Sequence, residues 1–172
     1  MRQVEVVPYN LNWPKLFEEE AQSIRNVMKN IIVNIHHIGS TSIPGMAAKP
    51  IIDIMIEVES IEKVDSYNQE MIQLGYDPQG ENGIPNRRYF SKGGDNRTHH
   101  VHIFQTGNPE VERHLLFRDY LIVHPEEAKS YSNLKKSLSL QFPFDIEQYI
   151  DGKDCLIKEL DEKAKAWKYK RS

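Results

Sequence analysis

The chain holds a single cysteine, Cys155, which rules out an intramolecular disulfide and points to a reducing compartment. Followed by Leu156 and Ile157, that thiol reads as a small buried hydrophobe rather than a nucleophile. No run approaches the roughly 18 apolar residues that a membrane-spanning helix needs. The opening MRQVEVVPYNLNW lacks an apolar stretch of signal-peptide length, so the expectation is a cytoplasmic protein with no membrane partner. Lys and Arg total 22 against 25 Asp and Glu, a net charge of -3, so no global basic field draws the chain to nucleic acid. An extended basic and aromatic track for single strands is also missing, as are repeats, low-complexity tracts and linkers. What is present is 172 residues, 39% hydrophobic and 27% charged, the balance of one domain spanning 1–172 with a real core.

Apolar residues at Leu16, Phe17, Ala21, Ile24 and Met28 recur at helical spacing from Trp13 to about Lys29, with Pro14 in the first turn. Ile31 to Ile38 reads as a β-branched strand, and Gly39 to Lys49 as a loop punctuated by Pro44 and Gly45. Ile51 to Val58 is the clearest strand: Ile52, Ile54, Ile56 and Val58 share one face, Asp53, Met55 and Glu57 the other. A helix over Ile61 to Leu74 follows, then strands at Arg87–Ser91 and Thr98–Phe104 around the turn segment GGDN. Beyond Pro109 the pattern is helical, with segments near Pro125 to Phe142 and Asp154 to Tyr169. This order predicts an α+β fold: a small mixed sheet, helices packed on one face and a helical C-terminal tail.

The chemistry concentrates after the first strand. Gly39, Ser40 and Thr41 form a turn in which a glycine lets the backbone approach a phosphate and a hydroxyl binds its oxygens. Asp53 on the next strand can hold a divalent ion that bridges the same phosphates, and Lys49 adds a phosphate partner. Metal and amides together neutralise charge as a phosphoryl bond breaks.

The segments VVPYNLNWPKLFEEE, HIGSTSIPGMAAKPIIDIMI, RRYFSKG, RTHHVHIF and RHLLFRDYLIVHPEEAKSY resemble the GrpB family, placed in the nucleotidyltransferase superfamily. The resemblance spans nearly the whole chain and implies a nucleotidyltransferase-like fold. In that superfamily a Gly-Ser pair is followed by two carboxylates two positions apart on one strand and a third on a later strand. Gly39, Ser40 and Asp53 match, but Met55 occupies the second carboxylate position. Glu57 is on the right face, yet roughly 13 Å of strand separates it from Asp53.

Two histidines can supply what Met55 lacks. With Val101 and Ile103 facing the core, His100 and His102 face the other side, towards Asp53. Their α-carbons lie roughly 6.6 Å apart, close enough for both imidazoles to reach one ion or to serve as acid and base. The ion would be magnesium, manganese or zinc, imidazole favouring the transition metals. Alternation allows only one of His36 and His37, and one of Arg87 and Arg88, to face the groove; His37 and Arg88 are the choices. Arg118 supports from a helix, and Lys135 and Lys153 are phosphate contacts from the tail.

Three readings follow. The first is a metal-dependent nucleotidyltransferase-like enzyme acting on a nucleotide or another phosphorylated small molecule. The second is a noncatalytic module that binds such a ligand, motivated by Met55. The third is a histidine-assisted, metal-dependent hydrolase on the same fold. An edge strand leaves both monomer and homodimer open.

Overall fold

The computed structural model describes residues 2–171. Its contacts group the chain into two compact units: one of Leu11–Ile38 and Ile51–Val111, the other of the residues up to Asn10, Gly39–Pro50 and everything from Glu112 onward. The sequence treats 1–172 as one domain. The structure divides it in this interleaved way because the Gly39–Pro50 loop packs with the C-terminal helices rather than with the strands that flank it.

In the sheet unit, helix α1 (Trp13–Met28) buries Trp13, Phe17, Ala21, Ile24 and Met28 along one stripe. It rests on strands β1 (Ile32–Ile38) and β2 (Ile52–Val58). The expected helix over Ile61 to Leu74 begins instead as a 3₁₀ turn, Ile61–Tyr67, and becomes α-helical only at α2 (Asn68–Gln73). Ile61 and Val64 are the buried residues of that turn, three apart, which suits the tighter period. Strands β3 (Tyr76–Pro78), β4 (Arg87–Lys92) and β5 (His99–Gln105) complete a sheet of order β1-β2-β5-β4-β3. Strand β3 was not expected; it is short, ends in proline and lies at the sheet edge, where a missing donor is tolerated. Only β2 and β5 run parallel, so the sheet is mixed and the fold is α+β, as the sequence predicts.

Register decides which side chains share a face. His37 pairs with Ile54 and stacks on Phe17 of α1 at 4.8 Å between ring centroids, so the isoleucine face of β2 is the one covered by α1. On the opposite face β2 carries Asp53, Met55 and Glu57, β5 carries His100 and His102, and β4 carries Arg87 and Tyr89.

In the helical unit, α3 (Pro109–Val123), α4 (Pro125–Gln141) and α5 (Ile146–Arg171) follow one another. Ile43 and Met46 from the loop share a core with Leu121, Tyr131, Leu160 and Ala164, and Val4 shares a second one with Leu138 and Tyr149. Helix α5 starts at Ile146, not near Asp154, and takes in Gly152. A β-carbon on Gly152 would lie 2.5 Å from Leu138 Cδ2, so a larger residue there would require Leu138 to move. Cys155 is exposed, correcting the expectation that it is buried.

Candidate functional site

The helical unit builds its site around the loop that follows β1. Gly39 sits at φ 73, ψ -173, a conformation open essentially to glycine alone, and this turns the chain into a single 3₁₀ turn, Ser40–Ser42. The loop is then fastened at its far end. Ala47 N–H donates to Ser132 Oγ of α4 at 2.9 Å, that hydroxyl donates to Met46 Sδ, and Val7 and Ala48 exchange backbone hydrogen bonds.

With the loop pinned, Ser40 Oγ lies 2.7 Å from Lys135 Nζ. Lys135 is only 1% exposed. Burial, followed by the ammonium groups of Lys153 and Lys49, pushes its pKa down to about 6. Among the described residues no carboxylate pairs with it. Aromatic faces line the cluster instead: Lys135 lies 4.4 Å from the Tyr131 ring centroid, and Lys153 and Lys49 lie 4.7 and 5.2 Å from that of Tyr149. Tyr149 is fully buried, its hydroxyl has no hydrogen-bond partner, and burial together with Tyr131 raises its pKa. Thr41, the other expected phosphate contact in this turn, is buried at 2% exposure.

Of the residues expected here, the structure brings Ser40, Lys49, Lys135 and Lys153 together. The sequence reading missed Tyr131, Tyr149 and Ser132. A signal existed for the tyrosines: each stands four residues before a lysine, Tyr131 before Lys135 and Tyr149 before Lys153, the spacing that stacks side chains on one helix face. Arg118, expected as a supporting residue, instead pairs with its neighbour Asp119 at 2.9 Å.

The sheet unit carries the second cluster. His100 Nδ1 and His102 Nε2 each lie 3.3 Å from Asp53 Oδ1, so the two histidines do face Asp53. The remaining ring nitrogens face arginines: Arg97 Nη1 is 3.2 Å from His100 Nε2, and Arg87 Nη1 is 3.4 Å from His102 Nδ1. A guanidinium only donates, so these nitrogens accept and the protons sit on the nitrogens aimed at Asp53. Burial alone would raise the Asp53 pKa, but the hydrogen bonds from His100 and His102 outweigh it and hold the carboxyl well below its ordinary range.

The imidazole lone pairs are turned to arginines and both N–H groups to one carboxylate oxygen, so Asp53, His100 and His102 do not converge as ligands on a common point. Among the described residues no three His, Cys, Asp or Glu side chains are set to hold a metal ion. As arranged, these side chains pair with one another and with arginines rather than presenting open donors to an ion.

Two choices between neighbours are corrected here. His36, not His37, shares the Asp53 face, and its Nε2 lies 2.6 Å from Glu57 Oε2, while His37 is on the α1 side. Arg87, not Arg88, points to the histidines; Arg88 lies on the other face and forms a two-pronged pair with Asp65 at 2.8 and 3.3 Å. Glu57 is held by His36 and Thr106, and the fully buried Met55 separates it from Asp53 along β2.

Residues 3–163 match the family model described as GrpB protein. UPF0157 protein YqkA of Bacillus subtilis is 57% identical over 99% of this chain and 50% of that protein, so the chain spans half the length of this relative. Glutamate-rich protein GrpB of Alkalihalophilus pseudofirmus is 32% identical over 92% of this chain and 94% of that protein. The crystal structure of conserved protein GrpB from Enterococcus faecalis is 46% identical, with a TM-score of 0.91 over 95% of this chain and 99% of that one. No helix among the described residues is long and apolar enough to cross a membrane. On sequence and on fold, the chain belongs to the GrpB family.

Proposed function

We propose that this protein is a cytoplasmic, nucleotidyltransferase-like protein that binds a nucleotide or another phosphorylated small molecule, as a monomer or homodimer. The ligand's phosphates lie against Gly39, Ser40, Lys135, Lys49 and Lys153. The observation that carries this reading is the buried Lys135 amine beside Ser40, which faces the ammonium groups of Lys49 and Lys153 and has no carboxylate partner among the described residues. Like charges held together in a low dielectric repel, and an anion relieves that repulsion more effectively than water does. A divalent ion enters this reading as the magnesium, manganese or zinc salt of the ligand itself.

Within the sheet unit, Asp53 with His100 and His102 is a group suited to moving protons: Asp53 holds the rings in one tautomer, and a ring that takes up a proton in place of its arginine contact becomes a cation stabilised by that carboxylate. A noncatalytic binding module is the second reading, favoured by the buried Met55 at the position where the superfamily resemblance calls for a carboxylate. Incubation with nucleoside triphosphates, an acceptor panel and each divalent ion separates the two. The enzyme reading expects product that falls by about a hundredfold or more in Asp53→Asn while ligand binding persists. Saturable binding with no product from any ligand, and no effect of Asp53→Asn, would leave the module. Release of inorganic phosphate without transfer would instead identify a hydrolase.

A further inference from the structure

A lysine that only grips a phosphate has no need of burial, and Lys135 is buried. It is 1% exposed, its Nζ lies 2.7 Å from the Ser40 hydroxyl, and the groups facing it are Lys49 from the loop, Tyr131 from its own helix and Lys153 from α5, while the Tyr149 ring lies against Lys49 and Lys153. A serine hydroxyl is a weak nucleophile at its free pKa and is activated by a base within hydrogen-bond reach. Serine–lysine pairs are one of the recurring ways of doing this.

We propose that Ser40 is a nucleophile and Lys135 its general base, the pair taking up a phosphoryl or nucleotidyl group from a phosphoanhydride to give a transient Ser40 ester. The Ser40 Oγ–phosphorus bond forms as the bridging phosphorus–oxygen bond breaks. The bridging oxygen leaves with its electron pair, on a nucleoside diphosphate or phosphate in phosphoryl transfer and on pyrophosphate in nucleotidyl transfer, and the Ser40 proton passes to Lys135 Nζ. Lys49 and Lys153 remain as the cations that face the phosphoryl oxygens, and the unpartnered Tyr149 hydroxyl is a further donor within the same buried cluster.

The depressed pKa of Lys135 accords with this role. Burial and two neighbouring ammonium groups keep the amine neutral, with its lone pair available, above about pH 6. The inference goes beyond ligand binding and fails separately from it, since a phosphate can be bound with no covalent step.

The test uses the full chain and an alkyl fluorophosphonate probe, which reports the same step with fluoride as the leaving group. Intact mass and peptide mapping should show one adduct, on Ser40, with a rate that rises with pH through about 6 and then levels. Lys135→Arg supplies a permanent cation in place of a base, and it should slow labelling by about a hundredfold or more. Thermal unfolding of that variant is recorded alongside to separate loss of fold from loss of the base, and the pH profile of the wild type decides the matter by itself. Absence of a Ser40 adduct, a pH-independent rate, or equal labelling of a folded Lys135→Arg protein would overturn the inference. Pyrophosphate binding, measured on the same wild-type sample, keeps the two ideas apart. Binding without an adduct removes the nucleophile and leaves the proposed function, whereas an adduct without binding does the reverse.

Discussion

An amine that loses nearly all its water, as Lys135 does, shifts the stability of the fold with pH. Its folded pKa of about 6 lies well below the ordinary lysine value. Between those two values the unfolded chain holds a proton that the folded chain lacks, so stability rises with pH across that window. Lys135→Met removes this slope. At pH 7, where the chain must give up that proton to fold, it should raise stability by a few kcal/mol, on the order of the linkage cost it removes. The gain should shrink towards zero near pH 10, and urea titrations at several pH values check it. A buried lysine retained at such a cost is what a functional role predicts. At this scale the sequence was legible where alternation was unambiguous, as at Asp53, His100 and His102. It was not legible at the doublets His36–His37 and Arg87–Arg88. Which member of each faces Asp53 depends on pairings such as Ile38 with Asp53 and Tyr89 with His102, and a one-residue slip would exchange them.

Among the elements, the α4–α5 contact is the most exacting. Gly152 is a poor helix former, which is why the sequence places the start of α5 near Asp154 rather than at Ile146. Local propensity is overridden there by packing, since any β-carbon at this position meets Leu138 at 2.5 Å. Gly152→Val should therefore destabilise the protein by about 1–3 kcal/mol through overpacking. Each kcal/mol lowers the melting temperature by roughly 2–4 °C in a chain of this size. Calorimetric melting reads the effect directly; an unchanged melting temperature would mean that Leu138 swings aside freely. Strand β2 was readable because its isoleucines alternate with polar residues, and β5 because RTHHVHIF does the same. The 3₁₀ turn and β3 were not, because each is too short to carry a period of its own.

The whole molecule carries a net charge of -3, yet it gathers Lys49, Lys135 and Lys153 around one serine. Composition alone argues against an anionic partner, and only the folded helical unit shows where the positive charge is concentrated. Family membership fits the GrpB-like segments recognised in the sequence, and the α+β architecture fits the order of elements read from it. The unanticipated feature is that the Gly39–Pro50 loop belongs with the C-terminal helices. That membership sets Ser40 against Lys135, a contact across 95 positions of chain that no local pattern announces. The most direct measurement is therefore calorimetric titration of the protein with magnesium nucleoside triphosphates, beside the Lys135→Met variant. The account predicts saturable binding to the wild type and a loss of about tenfold or more in affinity for a variant that remains folded, the cost of about 1.4 kcal/mol or more for the lost Lys135 hydrogen bond and amine. Equal affinity in the two proteins, or no saturable binding to either, would contradict it.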